Sequence, residues 1–287
     1  MPYTHAPGQA ASEPPTAPAD IRLIVTDMDG TLLDDEKKAP ADLWRVLALL
    51  RERGVHFAPA SGRQYATLAA DFAEVAGAAE GMAFIAENGA YVVRDGQELS
   101  SDPLDPAVVV QVTEAVRELS AAGVDVGAVV CGKRSAYVER ADEPFVTEVA
   151  RYYLRHRVVE DVTAVDDDIL KIALYDFGSA EESTAPALAP FARTHQVVVS
   201  GEHWVDVLNR TAHKGAALRR LQHELGVTPA QTMVFGDYLN DLQMLDAADW
   251  SFAMANAHPE VVRRARHLAP SNNDDGVLRT ITRVLGL

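Results

Sequence analysis

Apolar residues along the chain follow two alternating rhythms. "IRLIV" (21–25) is a short β-branched run that fits a buried strand. "ADLWRVLALLRERG" (41–54) spaces its apolar residues as a helix does and stops at Gly54, a natural helix terminator. "VHFAPA" (55–60) predicts a strand, "SGRQYATLAADFAEVA" (61–76) a helix, and "MAFIA" (82–86) a buried strand ending at "ENG". Strand and helix in alternation imply a parallel, doubly wound sheet, an α/β fold of Rossmann-like type. The grammar returns near the end of the chain. "HKGAALRRLQHELG" (213–226) reads as a helix closed by Gly226, "TMVFG" (232–236) as a strand, and "YLNDLQMLDAA" (238–248) as a helix. "WSFAMA" (250–255) follows as a strand, and "HPEVVRRARHL" (258–268) as a helix with Pro259 in its first turn.

The middle of the chain breaks this rhythm. Helical stretches at 106–123, 143–156 and 183–194 are interleaved with the strands "AYVER", "DILKIALYDF", "QVVVS" and "WVDVLN". Strands without intervening helices predict antiparallel pairing, and so an inserted α+β domain. The expected organisation is a core of 21–100 and 209–287 with a cap of 101–208. Residues 1–20, rich in Pro and Ala and without a signal peptide's basic start or apolar centre, are expected to be a disordered tail.

Charge then narrows the partners. The 287 residues carry 26 Lys+Arg against 42 Asp+Glu, a formal charge of −16. Segment 101–208 alone has nine Lys+Arg against nineteen Asp+Glu, a net of −10. Nucleic acid and anionic membrane surfaces both demand basic patches, so neither is expected as a partner. No apolar run approaches the roughly 18 residues of a membrane span. The expectation is a soluble cytoplasmic protein, monomer or weak homodimer. Cys131 is the single cysteine, which excludes an internal disulfide; its run "VGAVVCG" predicts a buried strand position.

Ligands of open α/β sheets bind beyond the carboxyl ends of the strands. The polar residues falling there are Asp27, Asp29, Gly30 and Thr31 after the first strand, and Ser61, Gly62 and Arg63 after the second. Lys214 and Gly215 open a helix, and Gly236, Asp237, Asn240 and Asp241 follow "TMVF". Converging carboxylates need a cation, and hard oxygen ligands suit Mg²⁺. A hydroxyl, helix-terminal N–H groups and one lysine suit phosphate. The combination points to phosphoryl transfer, with Asp27 placed to attack phosphorus and Asp29 to give the leaving oxygen a proton.

These residues carry a family resemblance. "DMDGTL" (27–32), "SGR" (61–63), Lys214 in "HKG" and "GDYLND" (236–241) resemble, in order, the four motifs of the haloacid dehalogenase (HAD) superfamily. "ENGA" (87–90), the late insert, "AMANA" (253–257) and "SNNDDGV" (271–277) resemble its Cof-type branch, Mg²⁺-dependent phosphatases of small phosphomonoesters with a C2-type cap. The resemblance covers 21–287. It departs at Gln64, where proline is frequent, and at "AHKG", where "SKG" is common.

The resemblance implies the individual roles. Asp27 is nucleophile and Mg²⁺ ligand. Asp29 is general acid and then base, and lends Mg²⁺ its backbone carbonyl. Asp237 is the third protein ligand to Mg²⁺. The Met28 backbone N–H, Ser61 with Gly62, Lys214 and Asn240 bind the phosphoryl group. Asp241 orients Lys214 or a metal-bound water, and Thr31 supports the site from behind.

Plainer readings stand beside these. Asp27 and Asp29 could end a strand in an Asx turn, Ser61 could cap a helix, Lys214 could be a solvated lysine, and Asp237 with Asn240 could form a helix N-cap region. A calcium EF-hand is excluded, because Gly30 is at the fourth loop position and follows a strand. The nine histidines form no zinc-like pair, and no Walker A pattern is present. Met233, Met244 and Met254 are expected in the core, and "DDD" (166–168), Asp34 and Asp35 in solvated turns. Lys171, inside "ILKIAL", either snorkels at a strand edge or faces the active site from the insert. The function expected is phosphatase action on a small phosphorylated metabolite through an aspartyl-phosphate. The rivals are a phosphosugar mutase on the same core and a non-catalytic phospho-ligand binding protein.

Overall fold

The structure, a computed structural model, describes residues 20–73, 80–200 and 202–287. The expected tail at 1–19 and the end of the helix expected over 61–76 lie outside the described residues. The chain forms two compact units, one of 1–55 with 227–287 and one of 56–226.

The first unit starts with strand β1 (Leu23–Asp27), buried throughout, and helix α1 (Leu43–Glu52). Gly54 follows at φ +70°, the left-handed conformation that ends a helix at low cost in glycine.

The second unit is one continuous stretch. It opens with β2 (His56–Ala60), α2 (Tyr65–Asp71) and β3 (Ala83–Ala86), with β2 and β3 parallel. β4 (Tyr91–Arg94) and β5 (Gln97–Ser101) then add an antiparallel hairpin. Its Asp95–Gly96 turn has both φ angles positive, +50° and +74°. That Asp-Gly pair is a hairpin signal that lies beyond the strand expected at 82–86, in a stretch to which the sequence reading assigns no element.

Next come α3 (Pro106–Ala121), β6 (Val126–Gly132), β7 (Ala136–Val138), α4 (Glu143–Tyr152), β8 (His156–Val158) and β9 (Ile169–Asp176). The Asp105 and Asp142 side chains cap α3 and α4, each ahead of a proline in the first turn. The helix expected over 143–156 ends at Tyr152, where Tyr153 turns extended, and His156 joins a strand. The segment 183–194 is also no continuous helix. It breaks into a π-helical turn (Ala180–Thr184), the four-residue α5 (Ala185–Leu188) and a 3₁₀ turn (Phe191–Arg193), with Pro186 and Pro190 as breakers. β10 (His195–Val199), β11 (Trp204–Asn209) and α6 (Lys214–Leu225) complete the unit, with Gly226 left-handed at the end of α6.

The strands from 126 to 209 form a sheet in the order β10-β11-β9-β6-β7-β8, antiparallel except for β7–β8. The pleat sends alternate residues of β9 to opposite faces. Ile172 and Leu174 pack with Val109, Val112 and Val116 of α3. Ala173 and Tyr175 pack with Phe145 and Val149 of α4, together with Cys131. Both faces are covered, which is why "ILKIALYD" reads as an unbroken apolar run. α4 comes so close that a Cβ on Gly127 would stand 2.4 Å from the Phe145 ring.

The chain then returns to the first unit with β12 (Thr232–Gly236), α7 (Leu242–Leu245), β13 (Trp250–Met254), α8 (Pro259–Arg264), β14 (His267–Ala269) and α9 (Gly276–Leu285). The helix expected over 238–248 is a 3₁₀ turn (Leu239–Asp241) followed by the single turn of α7. His267 and Leu268 lie in a strand rather than in the preceding helix. Strands β14-β13-β12-β1 are all parallel, with Leu23 opposite Thr232 and Thr26 opposite Phe235. Met233, Met244 and Met254 are fully buried, as expected. The fold is mixed α/β with a parallel-dominated sheet, and the connections of the parallel strands place β1 and β12 side by side with the same ends aligned.

Candidate active site

Parallel pairing of β1 with β12 has a chemical consequence. Asp27 is the last residue of β1, and Asp237 follows the last residue of β12, so both reach the same sheet edge. Carboxylate oxygens of Asp27, Asp237 and Asp241 all lie within 4.8 Å of one another. Asp27 and Asp241 are buried and Asp237 is half-buried. Three such groups repel strongly in a low-dielectric setting, so a cation fits them, and their hard oxygens suit Mg²⁺.

The surrounding backbone is built for this crowding. Thr31 Oγ1 donates to Asp237 Oδ1 at 2.8 Å. Asp241 Oδ2 accepts from the N–H groups of Asp237 (3.0 Å) and Tyr238 (3.3 Å), so it fixes the turn that carries Asp237. Gly30 is required twice over: its φ is +80°, and a Cβ there would stand 2.5 Å from Asp237 Oδ2. Asp29 is more open, and Lys37 Nζ stands 3.0 Å from its Oδ1. Met28 is buried, and its carbonyl accepts from Leu33 N–H at 2.8 Å. Asn240 is exposed on the turn after β12.

Two stretches singled out by resemblance alone gain a physical role. Asn256 donates to the Gly30 carbonyl at 2.7 Å and accepts from Asn272 N–H at 3.1 Å. Asn272 donates to the Leu33 carbonyl (3.0 Å) and to Asp35 (3.1 Å), and Asn273 donates to Asp35 (3.0 Å). Asp35 is therefore no idle loop residue. The Asn272 and Asn273 amides hold its carboxyl below the usual carboxylate range. Together the three asparagines brace the loop that follows Asp27.

Ser61, Gly62 and Lys214 belong to the second unit. Ser61 and Lys214 are buried, and Lys214 opens α6. The 3₁₀ turn Glu87–Gly89 links them. Asn88 N–H donates to the Ser61 carbonyl at 2.9 Å, and a Cβ on Gly62 would stand 3.0 Å from the Asn88 amide nitrogen. Gly89, at φ +98°, lets the turn press on the start of α6; a Cβ there would stand 2.5 Å from the His213 carbonyl. Glu87 and Asn88 are non-glycine residues at φ +49° and +54°. Such conformations cost of order 1–3 kcal/mol each and persist only where the surroundings over-determine them. His213 does the work of the serine common at its position: its Nδ1 accepts from Ala216 N–H at 3.1 Å and caps α6. Burial, with Arg219 and Arg220 behind it, pushes its pKa below the usual histidine value.

Two further expectations are corrected. Lys171 does not snorkel: it is 4% exposed and its ammonium pairs with Glu87, 1% exposed, at 2.8 Å. Alternation on β9 turns this lysine inward, and its whole side chain is buried. Asp167 is no solvated turn residue either. It accepts from Tyr137 Oη at 2.9 Å and Arg134 N–H at 3.0 Å, because the missing Cβ of Gly132 leaves room for it. Cys131 is buried as expected, and burial drives its thiol pKa far up.

The chain is similar to known proteins over nearly its whole length. A family model described as haloacid dehalogenase-like hydrolase matches residues 24–281. The 5-amino-6-(5-phospho-D-ribitylamino)uracil phosphatase YbjI of Escherichia coli (strain K12) is 34% identical over 268 residues, covering 92% of this chain and 96% of its own. A solved structure from Streptococcus mutans UA159 is 27% identical, with a TM-score of 0.79 over 93% of this chain and 100% of its own. A haloacid dehalogenase-like hydrolase from Bacteroides thetaiotaomicron, 23% identical, shares the fold at a TM-score of 0.80 over 92% of this chain and 99% of its own. Among the described residues, no helix is long and apolar enough to cross a membrane.

Proposed function

Because this chain belongs to the haloacid dehalogenase-like hydrolases and is a phosphoric monoester hydrolase among them, we propose that it is a Mg²⁺-dependent phosphatase of a small phosphorylated metabolite. The observation that carries this reading is the convergence of Asp27, Asp237 and Asp241 oxygens within 4.8 Å. Asp27 and Asp237 would hold the ion with the Asp29 carbonyl, and Asp241 offers a further carboxylate oxygen. Bound there, Mg²⁺ supplies charge neutralisation, so that an anionic phosphate can approach an anionic nucleophile.

The chain's own residues perform the steps. Asp27 attacks phosphorus and forms an aspartyl-phosphate as the ester P–O bond breaks. Asp29 gives its proton to the departing oxygen. It then takes a proton from the water that attacks phosphorus, and inorganic phosphate leaves with Asp27 regenerated. The Met28 N–H, Ser61, Gly62, Lys214 and Asn240 bind the phosphoryl oxygens. Segment 101–208 acts as the cap that excludes water and selects the leaving group.

The Escherichia coli relative's name supports a phosphorylated sugar-like chain as the substrate, with a phosphoribityl compound the first to try. We place the enzyme in the cytoplasm, where such metabolites are made, as a monomer or weak homodimer. The test is phosphate release from a panel of phosphomonoesters that includes that compound and simple sugar phosphates. Release that stops with EDTA and returns with Mg²⁺ is the expected result. Isomerised sugar without phosphate release would instead identify a mutase, and saturable binding without turnover a sensor.

A further inference from the structure

The loop Ser61–Arg63 is held at every carbonyl. That of Ser61 accepts from Asn88 N–H at 2.9 Å, and that of Arg63 from Glu87 N–H at 3.1 Å. The Gly62 carbonyl accepts from a side chain, the Lys171 ammonium, at 3.0 Å. The same peptide unit carries the Arg63 N–H, which donates to Ser61 Oγ at 3.2 Å. A peptide is planar, so fixing its carbonyl fixes its N–H. The Ser61 N–H is spent on the Ile85 carbonyl at 2.8 Å. Among the described residues the Gly62 N–H meets no acceptor, and the Ser61 hydroxyl keeps its proton to give.

Lys171 is an unusual means to this end. It stands mid-strand on β9, 109 residues from Gly62, with its side chain buried. Its Nζ is 2.8 Å from Glu87 Oε2, yet among the described residues no group donates an aligned hydrogen bond to the Glu87 carboxylate. The directed hydrogen bond goes to Gly62. Burial works against the ammonium, but Asp206 and Glu87 hold it cationic. A buried lysine could pair with Glu87 without reaching the loop; this one aligns on a backbone carbonyl.

We propose that Lys171 is a positioning residue for phosphoryl binding: through the Gly62–Arg63 peptide and its N–H it keeps the Ser61 hydroxyl aimed at the phosphate oxygens, while Asn88 holds the peptide that carries the Gly62 N–H. The inference rests on the reading of Ser61 and Gly62 as phosphate ligands. Glu87 serves it twice, as counter-charge to Lys171 and, through its N–H, as the brace on Arg63.

The experiment compares Lys171→Met, the double variant K171M/E87Q, and Ser61→Ala. Each is scored by competitive inhibition with inorganic phosphate, by kcat and KM, and by Tm. K171M strands a buried carboxylate and loses Tm. The double variant removes the charges of Lys171 and Glu87, leaves only Asp206 of the carboxylates that faced the ammonium, and recovers part of that loss, so it carries the test even where the single variant does not fold. Its phosphate inhibition constant still rises about 10-fold, the scale of one lost charge-assisted hydrogen bond. Its kcat/KM falls by roughly 10², the scale of an ångström misplacement. A double variant that inhibits within about twofold of wild type, while S61A is weakened about 10-fold, overturns the positioning role alone. An S61A that leaves phosphate inhibition unchanged overturns the assignment of the loop to phosphate.

Discussion

Gln64 pairs with the backbone of Arg155 as one strand pairs with another. Its side-chain amide donates to the Arg155 carbonyl at 2.9 Å, and its side-chain oxygen accepts the Arg155 N–H at 3.0 Å. Thr67 adds a relay, accepting from Leu154 N–H and donating to the Tyr152 carbonyl, both at 3.2 Å. The start of α2 is thereby stitched to the chain that leaves α4. Two neutral hydrogen bonds predict a cost of about 1–3 kcal/mol for Gln64→Ala. The backbone at Gln64, φ −57° and ψ 141°, also suits the proline common at this position. Gln64→Pro therefore loses the stitch but restricts the unfolded chain, and is expected to cost about 0.4–1 kcal/mol less than the alanine variant. Urea unfolding of both variants checks the order.

Neutralising one of the crowded carboxylates has opposite effects on stability and chemistry. Asp27→Asn is expected to abolish phosphate release. It should also raise the Tm of the metal-free protein, because the repulsion among Asp27, Asp237 and Asp241 is relieved. Wild type should gain about 2.7 kcal/mol at Mg²⁺ 100-fold above its Kd, and the variant much less. Thermal scans with EDTA and with Mg²⁺ measure both. Equal Mg²⁺ stabilisation of the two proteins would remove Asp27 from the ligand set.

Gly30→Ala tests the close approach at the same edge. The substitution adds a left-handed strain of about 1–3 kcal/mol and a methyl 2.5 Å from Asp237 Oδ2. Asp237 must swing away, straining its bond from Thr31. A fall in kcat/KM of about 10² is expected, with part of the loss recoverable at high Mg²⁺.

His213 gives α6 a pH dependence that a serine cap would not. Its Nδ1 must be unprotonated to accept from Ala216, and its folded pKa lies below the unfolded value of 6.5. The unfolded chain therefore takes up the proton first. Stability from the cap is fully present above pH 6.5 and is lost as pH falls through the folded value. His213→Ser keeps a cap that does not titrate. The wild type should lose about 1 kcal/mol relative to that variant between pH 7 and pH 5. A constant Tm difference across that range would refute the capping role.

What could be read from sequence follows the physics of each feature. Asp27 and Asp237 were legible because strand ends in a parallel sheet share one edge. The asparagines of 256, 272 and 273 were visible as a pattern, but their partners at Gly30, Leu33 and Asp35 lie more than 220 residues away and carry no local signal. Lys171 was visible as an anomaly for the same reason: a charge inside an apolar run announces a partner without saying where it is. The Asp95–Gly96 hairpin differs, since its signal is local and its turn conformation is the one the pair favours. α9 likewise carries helical periodicity at Val277, Leu278, Ile281 and Val284, all buried. Short elements such as α7 and β14 were misplaced because three or four residues hold too little pattern to separate helix from strand.

The first unit is made from the two ends of the described chain, with the second unit threaded whole between them. During synthesis β1 emerges early, while its neighbour β12 and the carboxylate of Asp237 come some 200 residues later. At about 5–20 residues per second that gap lasts roughly 10–40 s. Over that interval Asp27 exists without the carboxylates of Asp237 and Asp241 that stand within 4.8 Å of it in the folded chain, and the continuous 56–226 stretch has time to close on itself first. Once residue 226 has cleared the ribosome, the whole 56–226 stretch is available to fold while Asp27 still lacks Asp237 and Asp241, so the carboxylate cluster is completed only with the last fifth of the chain.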